Sequence, residues 1–184
     1  MTVGFVDNDI LLKLTAFGLF DDAIATLNLS PSDLRILPTA RFVFRQKRAQ
    51  QVSYTDEVWA RAINRVERYQ TIGTTDARAL AELQKLDAFR DQIHVGETAL
   101  IAATCTAADF VLMSGDKGCL RALPQIPSEI YGRLQGRIVC LEQLVLKLIE
   151  VLGFEAVRER IQPLADCDVT MRICFGYSEP ALEA

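Results

Sequence analysis

The amino-acid sequence predicts an α/β sandwich, with a small parallel sheet set among many helices. Two observations carry this. Val3–Val6 and Phe110–Met113 are short apolar runs that end in carboxylates, Asp7 and Asp116, as buried strands do where an open parallel sheet presents its carboxyl edge to ligands. Most of the rest carries the apolar spacing of amphipathic helices, and few, short strands among many helices fit a layered α/β arrangement.

After the first strand, Ile10, Leu11, Leu14, Phe17 and Leu19 recur with helical spacing. Asp21 begins a second short helix through Leu27, stopped at Ser30-Pro31. Leu34 to Leu37 reads as a strand, and Pro38 suits the first turn of a helix that carries Phe42 and Val43 over Arg41 to Gln51. Thr55-Asp56-Glu57 opens an amphipathic helix through Trp59, Ile63 and Val66 that ends at Gly73, and Thr75-Asp76 opens the next through Leu80, Leu83 and Leu86. Gln92 to Val95 is expected to be extended, Glu97 to Ala107 a small-residue helix, Lys117 to Leu123 a helix, and Arg137 to Cys140 a last strand. Leu141 to Leu152, Glu155 to Ile161 and Asp166 to Cys174 are predicted helices, so that 141–184 forms a helical extension packed on a single domain spanning 1–184.

With 184 residues, half of them hydrophobic, the chain can bury one sizeable core. A net charge of -4 and a pI near 5.1 argue against nucleic-acid binding by a broad cationic surface, so any polyanion must be met by a local patch. The opening residues lack the pattern of a signal peptide and no apolar run reaches membrane-spanning length, which predicts a cytoplasmic protein. Cys105, Cys119, Cys140, Cys167 and Cys174 form no C-x-x-C pair and His94 is the only imidazole, so the thiols are expected to be free and buried rather than zinc ligands. Cys167 and Cys174 are expected to share a core-facing helix side. No G-x-S-x-G or G-x-x-x-x-G-K motif occurs, which disfavours serine hydrolases and nucleotide triphosphatases.

Asp7, Glu97 and Asp116 each stand where a helix begins, and acids are common there for capping alone. In a parallel sheet, however, strand ends and the starts of the following helices lie on one side. Carboxylates gathered there repel one another unless a cation offsets the charge. Oxygen-only ligands select a hard ion, Mg²⁺ or Mn²⁺, which lowers the pKa of a bound water and holds a phosphate oxygen.

The segments Val6-Asp7-Asn8-Asp9-Ile10-Leu11, Gly96-Glu97-Thr98-Ala99-Leu100-Ile101-Ala102-Ala103 and Leu112-Met113-Ser114-Gly115-Asp116-Lys117 resemble, in order and spacing over about residues 3–140, the signature segments of PIN domains. The resemblance implies a three-layer α/β/α sandwich with extra C-terminal helices and a Mg²⁺- or Mn²⁺-dependent endoribonuclease. Asp7, Glu97 and Asp116 would then be the catalytic acids and metal ligands, with Asp9 an auxiliary ligand. It also implies RNA as substrate and, for a toxin of a toxin–antitoxin pair, an antitoxin-like partner. One departure matters: Leu37 to Arg45 lacks the acid that family members usually carry there. Either Asp9 or Glu57 replaces it, or the chain is an inactive PIN-like interaction module. A haloacid-dehalogenase-like phosphatase is the rival enzyme, since Asp7-Asn8-Asp9 mimics its nucleophile and acid, but it leaves Glu97 without a role.

Arg41, Arg45 and Arg48 share one helix face, with Lys47 adjacent, and read either as a phosphate grip or as a solvated face. Lys117, beside Asp116, is a candidate for steadying a phosphate. Arg61, Arg65 and Arg68 form a second stripe, expected to be solvated and paired with Glu57 and Glu67. His94, just before Gly96-Glu97, reads either as a hydrogen-bonded structural residue, the favoured reading, or as a group that touches the site. Leu141, Leu144, Val145, Leu148, Ile149 and Leu152 supply a broad stripe, most of it for the core and a remainder for a homodimer face or a partner helix.

Overall fold

Apolar side chains on both faces of Val3–Val6 and Phe110–Met113 demand cover on both sides of the sheet. In the computed structural model, which describes residues 1–49, 54–73 and 75–176, this cover is helical. Strands β1 (Val3–Val6), β2 (Leu34–Ile36), β3 (Gln70–Thr71), β4 (Phe110–Met113) and β5 (Ile138–Val139) form one parallel sheet in the order β3-β2-β1-β4-β5. Val6, Leu34, Ile36, Met113 and Val139 enter one core, while Phe5, Phe110 and Leu112 enter a second.

The first core is closed by α1 (Asn8–Ala16), α2 (Phe20–Thr26), α3 (Ala40–Ala49) and α4 (Asp56–Arg68). The second is closed by α5 (Ala77–Leu86), α6 (Val95–Ala103), α7 (Lys117–Ala122) and α8 (Ser128–Leu134). The C-terminal helices α9 (Leu141–Leu152), α10 (Phe154–Ile161) and α11 (Val169–Phe175) return to the first face, where Leu144, Leu148, Val157, Ile161 and Met171 are buried. Each such side chain contributes roughly 1.5–3 kcal/mol by leaving water, so this segment adds substantially to that core.

Several expectations are corrected. The apolar run from Ile10 to Leu19 is broken at Gly18, whose φ of +67° turns the chain between α1 and α2. Gln92 to Val95 is not a strand: Val95 already starts α6, because the backbone N–H of His94 is capped by Glu97. The helix expected to run to Gly73 ends at Arg68, and Gln70–Thr71, expected inside it, pairs instead with Arg35 and Ile36 as an edge strand. The helix α8 was not foreseen, and the last strand shrinks to Ile138–Val139. The final helix begins at Val169, capped by Asp168, so Cys167 falls in the preceding 3₁₀ segment and does not share a helix face with Cys174. Of the cysteines, all unbridged, Cys119 is buried, Cys105, Cys140 and Cys167 are half-buried, and Cys174 is exposed. Gln50 and Gln51 of the expected third helix, and residues 177–184 of the extension, lie outside the described residues.

Candidate active site

β1 and β4 are hydrogen-bonded neighbours with Val6 opposite Met113, so the residues that follow them emerge side by side at the carboxyl edge. The ladder continues one step further, the N–H of Asp7 donating to the Met113 carbonyl at 3.0 Å. Asp7 then caps α1, its Oδ2 accepting from the Asp9 N–H at 3.1 Å. Asp116 caps α7, its Oδ1 accepting from the N–H groups of Gly118 and Cys119. Glu97, in the first turn of α6, accepts from the His94 N–H and, through Oε1, from the Ser114 hydroxyl at 3.3 Å, which ties it to the end of β4. Asp7, Glu97 and Asp116 line one cavity of about 370 Å³, together with Asn8, Asp9, Leu37, His94, Gly96 and Gly115.

The site carries unbalanced negative charge. Burial, followed by the charges of Asp116 and Asp7, pushes the pKa of Glu97, only 6% exposed, up to about 7. Burial also raises that of Asp7, and the carboxylates of Asp9 and Asp116 add to the effect. The Oδ1 of Asn8 is withdrawn from solvent without a hydrogen-bond partner among the described residues. An all-oxygen donor set with raised carboxyl pKa values and an unpartnered amide oxygen fits a hard dication. Among the described residues, no three His, Cys, Asp or Glu side chains form a ready-made cage for an ion. The helix caps already use part of the acceptor capacity of Asp7 and Asp116.

The remaining candidates are distributed differently. Asp9 lines the cavity, but its Oδ2 lies 2.7 Å from Lys13 Nζ, which makes a second ion pair at 2.7 Å with Asp168. Lys117 turns away to the C-terminal helices, its Nζ 3.4 Å from Glu142 Oε1 and 3.2 Å from Thr170 Oγ1. His94 is an exposed wall residue with Nε2 3.8 Å from Asp116 Oδ2, so it borders the carboxylate cavity. Glu57 is exposed on α4 and lines a different cleft, so it does not replace the absent acid; Leu37 occupies the cavity wall from that stretch.

The first arginine stripe sews α3 to α4. Arg41 donates to the carbonyls of Val66 and Glu67, Arg45 pairs with Glu67 at 2.7 Å, and Arg48 pairs with Asp56 at 3.1 Å. In the second stripe Arg65 does not pair with Glu57 or Glu67; it grips Asp21 at 2.6 and 2.7 Å and lies over the Phe20 ring. Sequence reasoning missed Lys13 and Asp168. The spacing of Lys13 four residues after Asp9 was a usable sign, but nothing local points to Asp168. Comparison of the chain with protein-family profiles, with curated proteins and with solved structures finds no match.

Proposed function

We propose that this chain is a metal-dependent endoribonuclease of PIN type, with the carboxylate cavity as its active site. The observation that carries the reading is that Asp7, Glu97 and Asp116, supplied by three separate elements, line one cavity at the carboxyl edge of adjacent parallel strands. A bound Mg²⁺ or Mn²⁺ would supply an acidified water and a charge partner for the scissile phosphate. Asp7 and Asp116 are suited to hold it, because their capping bonds fix each carboxylate on a rigid helix start. Glu97 carries a proton below about pH 7, so its role as a ligand requires release of that proton to solvent. Asp9, neutralised by Lys13, is an auxiliary group.

The test is degradation of end-labelled RNA with added Mn²⁺. Loss of activity in Asp7→Asn and Asp116→Asn supports the reading, and unchanged activity in both removes it. A second reading, an inactive PIN-like interaction module, is favoured by Leu37 standing in the cavity wall where no acid reaches in; failure of Mn²⁺ to raise the thermal midpoint would select it. Hydrolysis of p-nitrophenyl phosphate without RNA cleavage would select the phosphatase. As part of a toxin–antitoxin pair the chain would bind an antitoxin-like protein, and the exposed Leu146, Val151, Val169 and Ile173 offer apolar surface for that partner or for a second copy.

A further inference from the structure

Two clefts lie beyond the carboxylate cavity. The nearer, of about 690 Å³, is walled by Pro38, Arg41, Phe42, Arg45, Tyr69 and Thr71. Pro38 directly follows Leu37, which belongs to the wall of the carboxylate cavity. The farther cleft, of about 540 Å³, includes Arg61, Asn64, Arg65 and Arg68, and shares Tyr69 with the nearer one. Five arginines against two acids, Asp21 and Glu57, line the pair of clefts on a chain whose net charge is -4. Arg45 and Arg65 are balanced by Glu67 and Asp21, so the cationic excess of the clefts rests on Arg41, Arg61 and Arg68 against Glu57.

Two details distinguish these clefts from an ordinary solvated surface. Phe42 is 74% exposed between Arg41 and Arg45, an aromatic face left in water by a helix that buries only Ala40 and Phe44. Arg61 and Arg68 make no side-chain hydrogen bond or ion pair among the described residues, while their neighbour Arg65 is held rigidly by Asp21. Unpaired guanidinium groups suit phosphates, and an exposed ring beside cations suits an unpaired base.

We propose that single-stranded RNA leaves the carboxylate cavity over Pro38 and follows these clefts, with a base stacked on Phe42 and phosphates met by Arg61 and Arg68. The identity of the ligand rests on the ribonuclease reading above, but the path does not depend on metal. A base-paired strand hides its ring faces, so Phe42 selects for single strands.

The experiment measures binding of a labelled oligouridylate by fluorescence anisotropy, without divalent ions, to an Asp7→Asn chain that carries further substitutions. Phe42→Ala should weaken binding about tenfold at every salt concentration and leave binding of a matched duplex unchanged. Arg61→Gln combined with Arg68→Gln should make the slope of log affinity against log salt shallower by about 1.4, roughly 0.7 for each lost phosphate contact to a single strand. Both sites are exposed, and unchanged thermal midpoints will show that the variants fold. Unaltered affinity and slope in both variants would overturn the path, as would conversion of a dimer to a monomer by Phe42→Ala, which would make the ring a contact between copies. Loss of the path with Mn²⁺-dependent cleavage intact in the parent chain overturns this inference alone; intact metal-free binding without cleavage supports the path and overturns the nuclease reading.

Discussion

Lys13 and Asp168, far apart in sequence, meet with Nζ 2.7 Å from Oδ2, and each side chain is less than one-fifth exposed. Because Lys13 makes an equal contact with Asp9, the last helix is electrically joined to the wall of the carboxylate cavity.

Asp168 also caps α11, its Oδ1 accepting from the Met171 N–H at 2.9 Å. Asp168→Asn keeps the cap and removes the charge, so it should isolate the ion pair and cost about 2 kcal/mol in urea unfolding at neutral pH. Burial alone would raise the carboxyl pKa of Asp168, but hydrogen bonding and charge from Lys13 win and lower it below 3.8. A depressed acid stabilises the fold above its unfolded pKa and ceases to do so as pH falls through the folded value, so parent and variant should converge below pH 3.8.

Glu97 behaves in the opposite sense. Its folded pKa of about 7 lies above the ordinary 4.5, so the folded state binds the proton more tightly and stability should decline as pH rises between those values. The decline is on the order of 3 kcal/mol. Glu97→Gln should flatten it. Added Mn²⁺ should raise the stability of the parent chain at pH 8 and leave that of the variant less affected.

Capping by Asp116 and the ligation proposed for it are separable. Asp116→Asn should unfold within about 0.5 kcal/mol of the parent, because an amide oxygen still caps α7, whereas Asp116→Ala should lose about 1 kcal/mol. Both should abolish Mn²⁺-dependent RNA cleavage. Cleavage that follows stability rather than charge, surviving in the asparagine variant, would reduce Asp116 to a cap.

Gly96 allows close approach at the cavity wall, since a Cβ there would stand 2.8 Å from Leu37 Cδ1. The obstacle is the tip of a flexible side chain, and alanine favours a helix, so Gly96→Ala should change stability by less than about 1 kcal/mol. Displaced Leu37 would crowd the space in front of Glu97. RNA cleavage should fall several-fold with the thermal midpoint unchanged.

The parts of this molecule that were legible in the sequence are those with dense local signals. β1 and β4 announce themselves as apolar runs closed by acids, and their adjacency follows from parallel-sheet logic, which is why Asp7, Glu97 and Asp116 were anticipated at one edge. β3 is polar Gln70–Thr71, a strand only because Arg35 and Ile36 offer backbone partners. α8 buries just Ile130 and Leu134, too sparse an apolar pattern to stand out. Charge partners were the least readable feature: Glu57 stands four residues before Arg61 of the second arginine stripe, yet Asp21 reaches Arg65 from another helix. Sequence spacing ranks neighbours within an element and is silent about those that packing brings from elsewhere.

At its two margins the sheet offers only β3 and β5, each two residues long. Such short rims provide at most a couple of free backbone groups for a foreign strand to zip onto, so fibril-like polymerisation through the sheet has little purchase. Among the described residues, helical surfaces offer far more area for self-association than these margins do.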